Sequence, residues 1–394
     1  MLKRGMLAVV TGLMAGAAQA DFFQDYMIDP EDGMLDGSRY LSEVPMGFLP
    51  VPMLITEPAV GNGLGVAGIF FHESDEQKKQ RVSGSAPAIL PNNITVAGLG
   101  ATENGTKAAG LGHMGFWYDD RVRYRGFALY PDLNLDFYSF SGRQLDRPIE
   151  LNLDGPAVVQ ELKFRLGKSP WMLGARQVYR QVTLELQEDI RLPNSGLEQL
   201  VNRYLDNHLG ETSRNSGLGV LMEYDSRDNP MSPQSGLYYS ANYVWFGDSI
   251  GSDANYGSYT LEGLNYWNVN EHFNFALRMQ YDGIEVSDST RLAPYVAPYI
   301  DLRGIPAVRY QGNAVALAEV EATWKASMRW RFNTFAGGGR AAESLSDLSD
   351  AEVANSYGAG FRYLIARRYG MTMGVDVARG PEDTAYYIKA GSSW

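Results

Sequence analysis

The segment FNFALRMQYD, residues Phe273–Asp282, has a large apolar residue at every odd position and, except for Ala276, a polar residue at every even position. Successive side chains of a β-strand point to opposite faces of the sheet, so the pattern predicts a strand with one apolar face and one polar face. Strands of soluble sandwiches are usually only about five or six residues long, whereas a tilted strand of about ten residues crosses a bilayer. The segment therefore favours a membrane-spanning strand of a β-barrel.

Similar alternating segments recur from about Phe48 to the end of the chain. The first of them contains Pro50 and Pro52, which suit an edge strand better than a central one. A closed antiparallel barrel of this kind has an even number of strands, and sixteen segments fit the pattern. The sequence thus predicts an all-β fold, a 16-stranded antiparallel transmembrane β-barrel. The segments are 48–57, 63–73, 93–104, 106–118, 121–131, 158–166, 171–186, 213–225, 237–247, 256–268, 273–284, 313–326, 328–341, 353–366, 369–380 and 385–394.

The connections between these strands alternate between short turns and long polar loops. Outer-membrane barrels have short turns on the periplasmic side and longer loops outside, so the alternation fits such a barrel. The polar stretch 73–93 does not fit, because its position would make it a long periplasmic loop. Short turns are predicted at 119–120, 167–170 and 325–328, and long loops at 132–157, 187–212, 285–312 and 342–352.

The N-terminal region has the features of an export signal. A basic start is followed by an uncharged apolar run, and Ala18-Gln19-Ala20 ends it with the small residues that a signal peptidase reads. We expect a signal peptide at 1–20, a tail or plug at 21–47 and the barrel at 48–394. The alternatives for the apolar run are a buried N-terminal helix or a membrane anchor. The run is shorter than the roughly 20 residues that a span needs, and its small-residue end suits cleavage better.

The C-terminal segment alternates as well and ends on an aromatic residue. Tyr386, Ile388 and Trp394 are large and apolar, and we expect them to share the lipid-facing side of the last strand. Gly391 lies on the opposite face of that strand. We interpret Tyr386, Ile388, Gly391 and Trp394 as the signal through which the barrel assembly machinery recognises the chain.

Composition excludes several classes of function. A formal net charge of −12 argues against nucleic-acid binding, which needs a basic surface. The chain has no cysteine, and its four histidines, His72, His113, His208 and His272, are scattered without metal-ligand spacing. We therefore expect no catalytic residues, no metal and no cofactor, and we do not expect an enzyme.

A turn motif stands between the eighth and ninth predicted strands. Asp225, Arg227, Asp228 and Pro230 are followed by Gly236 at the start of the next strand. Asp can accept backbone N–H bonds, Pro favours a tight turn, and Gly supplies a left-handed backbone conformation. The motif predicts a well-capped periplasmic turn.

Two stretches resemble the BamA/TamA superfamily of outer-membrane insertases and translocators: GLGVLMEYDSRDNP at 217–230 and LRGIPAVRYQGN at 302–313. The resemblance implies a sixteen-stranded barrel whose sixth outer loop folds back into the lumen and carries a V/L-R-G-F/Y-like motif. In this chain Leu302-Arg303-Gly304-Ile305 stands in the long loop 285–312, and five predicted strands follow it.

An arginine inside a narrow lumen needs carboxylate partners, since an unpaired buried charge is costly. Glu319 and Glu321 are two residues apart on one face of the strand 313–326, so both can point into the lumen. We expect Glu321 to be the preferred partner of Arg303 and Glu319 the second, with Gly304 as part of this lumenal latch. The resemblance implies instead an acidic residue on strand 328–341, but Gly337 stands there. A solvated Arg303 is the alternative.

The resemblance also implies periplasmic POTRA domains ahead of the barrel, and residues 21–47 leave no room for one. Two functions remain open. One is a barrel in the outer membrane of a Gram-negative cell that passes or inserts polypeptide or lipid, of unknown cargo. The other is a structural or interaction barrel, plugged by its own loop. The expected partners are outer-membrane lipid and the assembly machinery, and homo-oligomerisation is left open.

Overall fold

A computed structural model gives the fold of this chain. It describes residues 24–43, 48–72, 93–140, 143–186, 199, 210–229, 232–286, 292–367, 370–391 and 394. The described residues form one antiparallel sheet with a few short helices, so the predicted all-β class is confirmed. Within this part of the chain, no helix is both long and apolar enough to cross a bilayer.

Strands next to each other in sequence pair side by side in antiparallel fashion, with the exception of β6 and β7. The strands are β1 Phe48–Ile55, β2 Gly63–His72, β3 Asn93–Thr102, β4 Lys107–Trp117, β5 Val122–Phe140, β6 Arg143–Asp154, β7 Ala157–Arg165, β8 Trp171–Leu186, β9 Thr212–Asp225, β10 Gly236–Phe246, β11 Tyr256–Asn268, β12 Phe273–Glu285, β13 Ala314–Lys325, β14 Trp330–Ala342, β15 Ala354–Ala366, β16 Met371–Arg379 and β17 Thr384–Ala390.

β6 and β7 are two segments of one strand position. Both pair with β5 on one side and with β8 on the other. They are separated at Gly155, whose φ of 139° only glycine tolerates easily, and a Cβ there would lie 2.2 Å from the Gln181 carbonyl oxygen. Counted by position in the sheet, the seventeen described segments occupy sixteen places, which agrees with the predicted number.

The prediction of a long loop at 132–157 is wrong. β5 continues to Phe140 and pairs with β6, so a hairpin extends the sheet beyond the predicted strand ends. Leu133, Leu135 and Phe137 alternate with polar residues along this extension, and their side chains join an apolar cluster inside the barrel. The outward face of this stretch is polar, which resembles a loop in the sequence and suits a strand that projects past the apolar part of a bilayer.

The two faces of the sheet differ sharply in polarity. The outward face exposes large apolar side chains, while the inward face buries charged ones. A soluble protein shows the opposite arrangement, and a barrel surrounded by hydrocarbon shows this one. Exposed apolar residues include Leu64, Val66, Leu99, Leu111, Leu162, Phe164, Val220, Met222, Phe275, Met279, Val320, Phe332 and Ile388, and buried charged residues include Glu161, Lys163, Glu223, Arg278, Glu319, Arg362 and Asp376.

The first and last strands approach each other at the seam, the junction of β1 and β17. The Thr56 hydroxyl, just after β1, donates a hydrogen bond to the carbonyl oxygen of Tyr386 in β17. The short turns 118–121, 166–170 and 326–329 share one rim of the sheet, as predicted. The anomalous loop 73–92 lies outside the described residues.

The long loop between β12 and β13 crosses the lumen, and five strands follow it. On one side Leu292, Val296 and Val308 pack against a cluster formed by β5, β6, β8, β10 and β11. On the other side Ile300 and its neighbours pack against β13 and β15. The loop therefore contacts opposite walls of the barrel. It carries the short 3-10 helix Pro294–Val296.

The N-terminal region lies against the rim of short turns. It contains helical residues at 24–27 and the short helix α1, Ser38–Glu43. An antiparallel bridge between Ile28 and Leu35 closes a small loop ahead of this helix. Gly37 N–H donates to the Ile365 carbonyl oxygen at 2.6 Å, which joins the region to the end of β15.

Candidate functional site

Arg303 stands at a tight turn of the loop that crosses the lumen. Ile305 N–H donates to the Leu302 carbonyl oxygen at 3.0 Å, and both of these side chains are buried in the apolar cluster below the loop. Gly304 has a φ of 88° and packs against Gly380, where an added Cβ would lie 2.0 Å from the Gly304 carbonyl oxygen. Two facing glycines thus let the loop backbone come close to the β16–β17 connection.

The Arg303 guanidinium contacts both predicted glutamates. Its Nε donates to Glu319 Oε1 at 2.9 Å, its Nη2 also bonds this oxygen, and its Nη1 donates to Glu321 Oε2 at 2.9 Å. Arg303 is only 6% exposed, which excludes the alternative of a solvated loop arginine. The predicted order of preference is wrong, because Glu319 accepts from two nitrogens and Glu321 from one.

A third carboxylate, Asp376 on β16, was missed by the sequence analysis. Its Oδ2 accepts from Arg303 Nη1 at 2.9 Å, and both of its oxygens accept from Arg362, at 2.7 and 2.8 Å. Asn333 Nδ2 donates to Asp376 Oδ1 at 3.2 Å. Asp376 is fully buried. The one signal in the sequence was a single acid within the otherwise apolar core of β16.

Gly337 explains why the carboxylate that the resemblance implies on β14 is absent. Gly337 lies opposite Glu319 in the β13–β14 register. A Cβ at position 337 would lie 3.1 Å from both Cβ and Cγ of Glu319. Glycine therefore leaves room for the glutamate to reach Arg303. The negative charge around Arg303 comes instead from the glutamates of β13 and from Asp376 on β16.

Aromatic rings complete the surroundings of Arg303. Its Cζ lies 3.4 Å from the centre of the Phe335 ring and 5.8 Å from that of Trp394. Burial alone would lower the pKa of Arg303, but Glu319, Glu321 and Asp376 raise the pKa above its ordinary value. The guanidinium is therefore held in its charged form within a cluster of two cations and three carboxylates.

The position of Trp394 corrects the prediction for the C-terminus. Tyr386 and Ile388 are exposed on the outward face, 55% and 41% respectively, as expected. Trp394, however, lies inside the barrel, where its Nε1 donates to Glu319 Oε1 at 2.9 Å. Regular pairing ends at Ala390, and Gly391, with a φ of 83°, redirects the chain inward. Gly391 N–H donates to the Thr372 carbonyl oxygen at 2.7 Å, which fixes this turn.

Backbone contacts tie the loop to other strands. The Ser356 hydroxyl of β15 donates to the Arg303 carbonyl oxygen, and Gly304 N–H donates to the Tyr387 hydroxyl oxygen at 2.9 Å. We call the contacts of Arg303 and Gly304 with β13, β14, β15, β16, β17 and Trp394 the lumenal latch. It joins the loop to the strands that end at the seam.

Two further ion pairs hold the same loop. Arg278 on β12 contacts Asp301 at 3.0 Å, and Arg309 contacts Glu382 beside the seam. A hydrogen bond from Arg309 lowers the pKa of Glu382, which is an exposed group. Burial raises the pKa of Glu57, whose carboxylate accepts from Ala307 N–H at 3.2 Å. The loop is therefore fixed at several points.

The turn motif after β9 has the expected polar contacts. Asp225 accepts from Arg227 Nε at 2.9 Å, and Asp228 accepts from the backbone N–H of Gln234 at 2.9 Å. Gly236 has a φ of 105°, and a Cβ there would lie 2.4 Å from the Ser226 carbonyl oxygen. Pro230 lies outside the described residues. Asp225 also accepts from Arg123 Nη1 at 3.0 Å, so the turn is joined to β5.

The chemistry that this arrangement offers is electrostatic binding. Among the described residues, no group of three or more histidine or carboxylate side chains is placed to hold a metal ion. The latch contains paired charges and aromatic rings, all directed at a segment of the same chain. It holds that segment in place.

Residues 161–297 match the model of the Omp85 superfamily domain. Among solved structures, BamA from Haemophilus ducreyi lacking POTRA domains 1–3 is similar, with a TM-score of 0.55, 12% identity and coverage of 88% of this chain and 70% of that one. CdiB from Acinetobacter baumannii gives a TM-score of 0.53, 11% identity and coverage of 87% and 59%. CdiB from Escherichia coli gives 0.54, 8% identity and coverage of 87% and 62%.

These matches confirm the resemblance to the BamA/TamA superfamily and the barrel fold. At such low sequence identity, the structural matches show the fold alone. The chain spans less than two thirds of both CdiB chains. No curated protein sequence matches this chain.

Proposed function

We propose that this chain is an outer-membrane β-barrel of BamA/TamA type, exported by its signal peptide, that passes or inserts polypeptide or lipid. The lumenal latch is the regulated element. While it is closed, the loop fills the lumen, and when it opens, the loop is free to leave. We propose no catalytic role for the chain.

One observation carries this proposal: the Arg303 guanidinium is buried among three carboxylates that lie on two of the last five strands. Glu319 and Glu321 are on β13 and Asp376 is on β16. Buried ion pairs are weak evidence for stability, and in some proteins they fix one arrangement among alternatives, which is the role we propose here. A latch that joins a lumen-filling loop to the last strands suits a barrel whose lumen or seam must open.

Planar-bilayer conductance tests the proposal. We expect the unaltered protein to give little stable current, because the loop contacts opposite walls of the lumen. An Arg303→Ala variant should give larger and more frequent openings, and Arg309→Ala, in the same loop, serves as the matched control. Equal currents from all three proteins, each with a folded barrel, would count against a latch that closes the lumen.

The alternative is a structural or interaction barrel without transport. The apolar packing of the loop against both walls of the barrel is consistent with this alternative. Photo-crosslinkers at Tyr386 and Ile388, which are exposed on β17, separate the two functions. Capture of unfolded polypeptide or of lipid in the outer membrane supports passage at the seam. Crosslinks confined to a second copy of the chain support an interaction barrel.

A further inference from the structure

Two arginines in the short turns hold an acidic segment of the same chain. Arg329 lies between β13 and β14, and Arg367 follows β15. Arg329 is 3% exposed and contacts Asp29, Asp32 and Asp36, at 2.6, 2.6 and 2.5 Å. We call residues 29–37 the acidic clasp. Arg329 thus forms ion pairs with three carboxylates of one short segment.

Arg367 binds the clasp from a second side. Its Nε lies 2.9 Å from Asp29 Oδ2, its Nη1 lies 2.7 Å from Glu31 Oε2, and its backbone N–H donates to Asp36 Oδ2 at 3.1 Å. Arg329 itself binds Asp32 through paired hydrogen bonds, from Nε to Oδ2 at 2.6 Å and from Nη2 to Oδ1 at 3.0 Å. The two turns thus form a site that binds carboxylates at positions i, i+3 and i+7 of a peptide, here Asp29, Asp32 and Asp36.

The clasp carries its own shape. Gly33 N–H donates to the Asp29 carbonyl oxygen at 2.8 Å, and Asp29 N–H donates to the Met34 carbonyl oxygen at 2.9 Å. Gly33 has a φ of 67°, which closes the turn. Asp32 Oδ1 accepts from Met34 N–H at 2.9 Å. Because these bonds are all within the clasp, a peptide of this sequence can adopt the bound form at a low entropic cost.

We infer that Arg329 and Arg367 form a receptor site for an acidic peptide, that the clasp occupies this site in cis, and that the same site binds an acidic peptide in trans when the clasp is neutralised. The site lies on the rim of short turns, so its partner is an acidic segment that approaches that rim. Tethering favours the clasp over a free peptide, because it raises the effective concentration of the clasp to about the millimolar range.

The site joins the two hairpins that carry the latch. Arg329 precedes β14, which contributes Phe335, and Arg367 precedes β16, which contributes Asp376. A peptide bound in place of the clasp would contact the same two turns. The receptor site is therefore a point at which an acidic partner could act on the hairpins around the latch.

The first test measures peptide binding to the full chain. Asp29→Asn, Asp32→Asn and Asp36→Asn are combined, and a fluorescein-labelled peptide of residues 24–43 is added while anisotropy is recorded. We expect the triple variant to bind the peptide at least about tenfold more tightly than the unaltered chain, whose own clasp competes. Adding Arg329→Gln should abolish this binding, whereas Lys168→Gln, an exposed cation in another short turn, should leave it unchanged.

The inference is overturned if the folded triple variant does not bind the peptide, or binds it equally well with Arg329→Gln. A second measurement needs no triple variant. The chain has no cysteine, so Ser38→Cys introduces a single thiol at a site that is 4% exposed. Thiol labelling should be slow with the clasp docked, faster with Arg329→Gln, and unchanged with Lys168→Gln. Equal labelling rates in all three would also overturn the inference.

Discussion

Replacing Arg303 with methionine should destabilise the barrel far more than replacing Arg309 with glutamine. Methionine keeps an unbranched apolar side chain of comparable reach, so the substitution mainly removes the charge and its hydrogen bonds. Arg303 is buried and contacts three carboxylates, whereas Arg309 contacts Glu382, which is 41% exposed. The two arginines belong to one loop, so they form a matched pair.

The size of the difference follows from burial. Removing one member of a buried ion pair costs about 3–5 kcal/mol, because the partner charges stay buried without compensation. Two cations and three carboxylates become one cation and three carboxylates in Arg303→Met, which adds repulsion among Glu319, Glu321 and Asp376. An exposed pair such as Arg309–Glu382 contributes only about 0–1 kcal/mol.

Urea unfolding of the protein in lipid vesicles, followed by tryptophan fluorescence and by heat-modifiable migration, measures both variants. We expect the free energy of unfolding to fall by about 3–5 kcal/mol for Arg303→Met and by no more than about 1 kcal/mol for Arg309→Gln. A double variant of Arg303→Met with Glu319→Gln should recover part of the loss, since one uncompensated charge is removed. If Arg303→Met and Arg309→Gln unfold at the same urea concentration, the buried cluster does not hold the loop.

Three further predictions concern the C-terminus, the glycine contact and the clasp. Trp394→Phe keeps a ring but removes the N–H bond to Glu319, so the free energy of unfolding should fall by about 1.5–3 kcal/mol in the same assay. The control Ile388→Val, on the outward face, should lower it by no more than about 1.5 kcal/mol. Equal losses would contradict a latch role for Trp394. Gly380→Ala should displace the loop, because its Cβ would lie 2.0 Å from the Gly304 carbonyl oxygen. This variant should therefore raise bilayer conductance, as Arg303→Ala is expected to do. Conductance equal to that of the unaltered protein would refute the close contact. Burial alone would raise the pKa of Asp36, but hydrogen bonds from Ser38 and Arg329 lower this pKa below its ordinary value of 3.8. The clasp is therefore fully stabilised above that value and loosens as the pH falls through the lowered pKa. A spin label at Met34→Cys should stay immobile down to pH 4 and become mobile only below it, and release at pH 6 would contradict this.

The strand pattern was readable because a lipid-facing surface and a wet lumen impose a period of two on the sequence. Residues Phe273–Asp282 show this directly, and β12 forms there. The extension of β5 to Phe140 was missed because the rule that marks a membrane strand, an apolar outer face, no longer applies beyond the bilayer. The alternation of apolar residues on its inward face, Leu133, Leu135 and Phe137, is the pattern that predicts this extension.

The latch was predicted in part. The motif of the resemblance indicated Arg303, and alternation along β13, which places Glu319 and Glu321 on one face, indicated its partners. Asp376 is remote in sequence, and its contact with Arg303 depends on how strands curve around the lumen, which no local pattern encodes. Trp394 was assigned to lipid because the alternation was continued past Gly391, where the backbone in fact turns inward. Arg329 and Asp29 are likewise remote in sequence, and only the fold brings them together.

Spin-label accessibility along β12 tests most directly whether this chain is a barrel with lipid outside and charges inside. Single cysteines can replace each residue of Phe273–Asp282 in a chain that otherwise has none. In lipid vesicles, labels at the odd positions should collide with oxygen dissolved in the hydrocarbon. Labels at the even positions should be shielded from oxygen, with the strongest shielding at Arg278, beneath the loop. Accessibility without a period of two, or with the even positions facing lipid, would contradict the account.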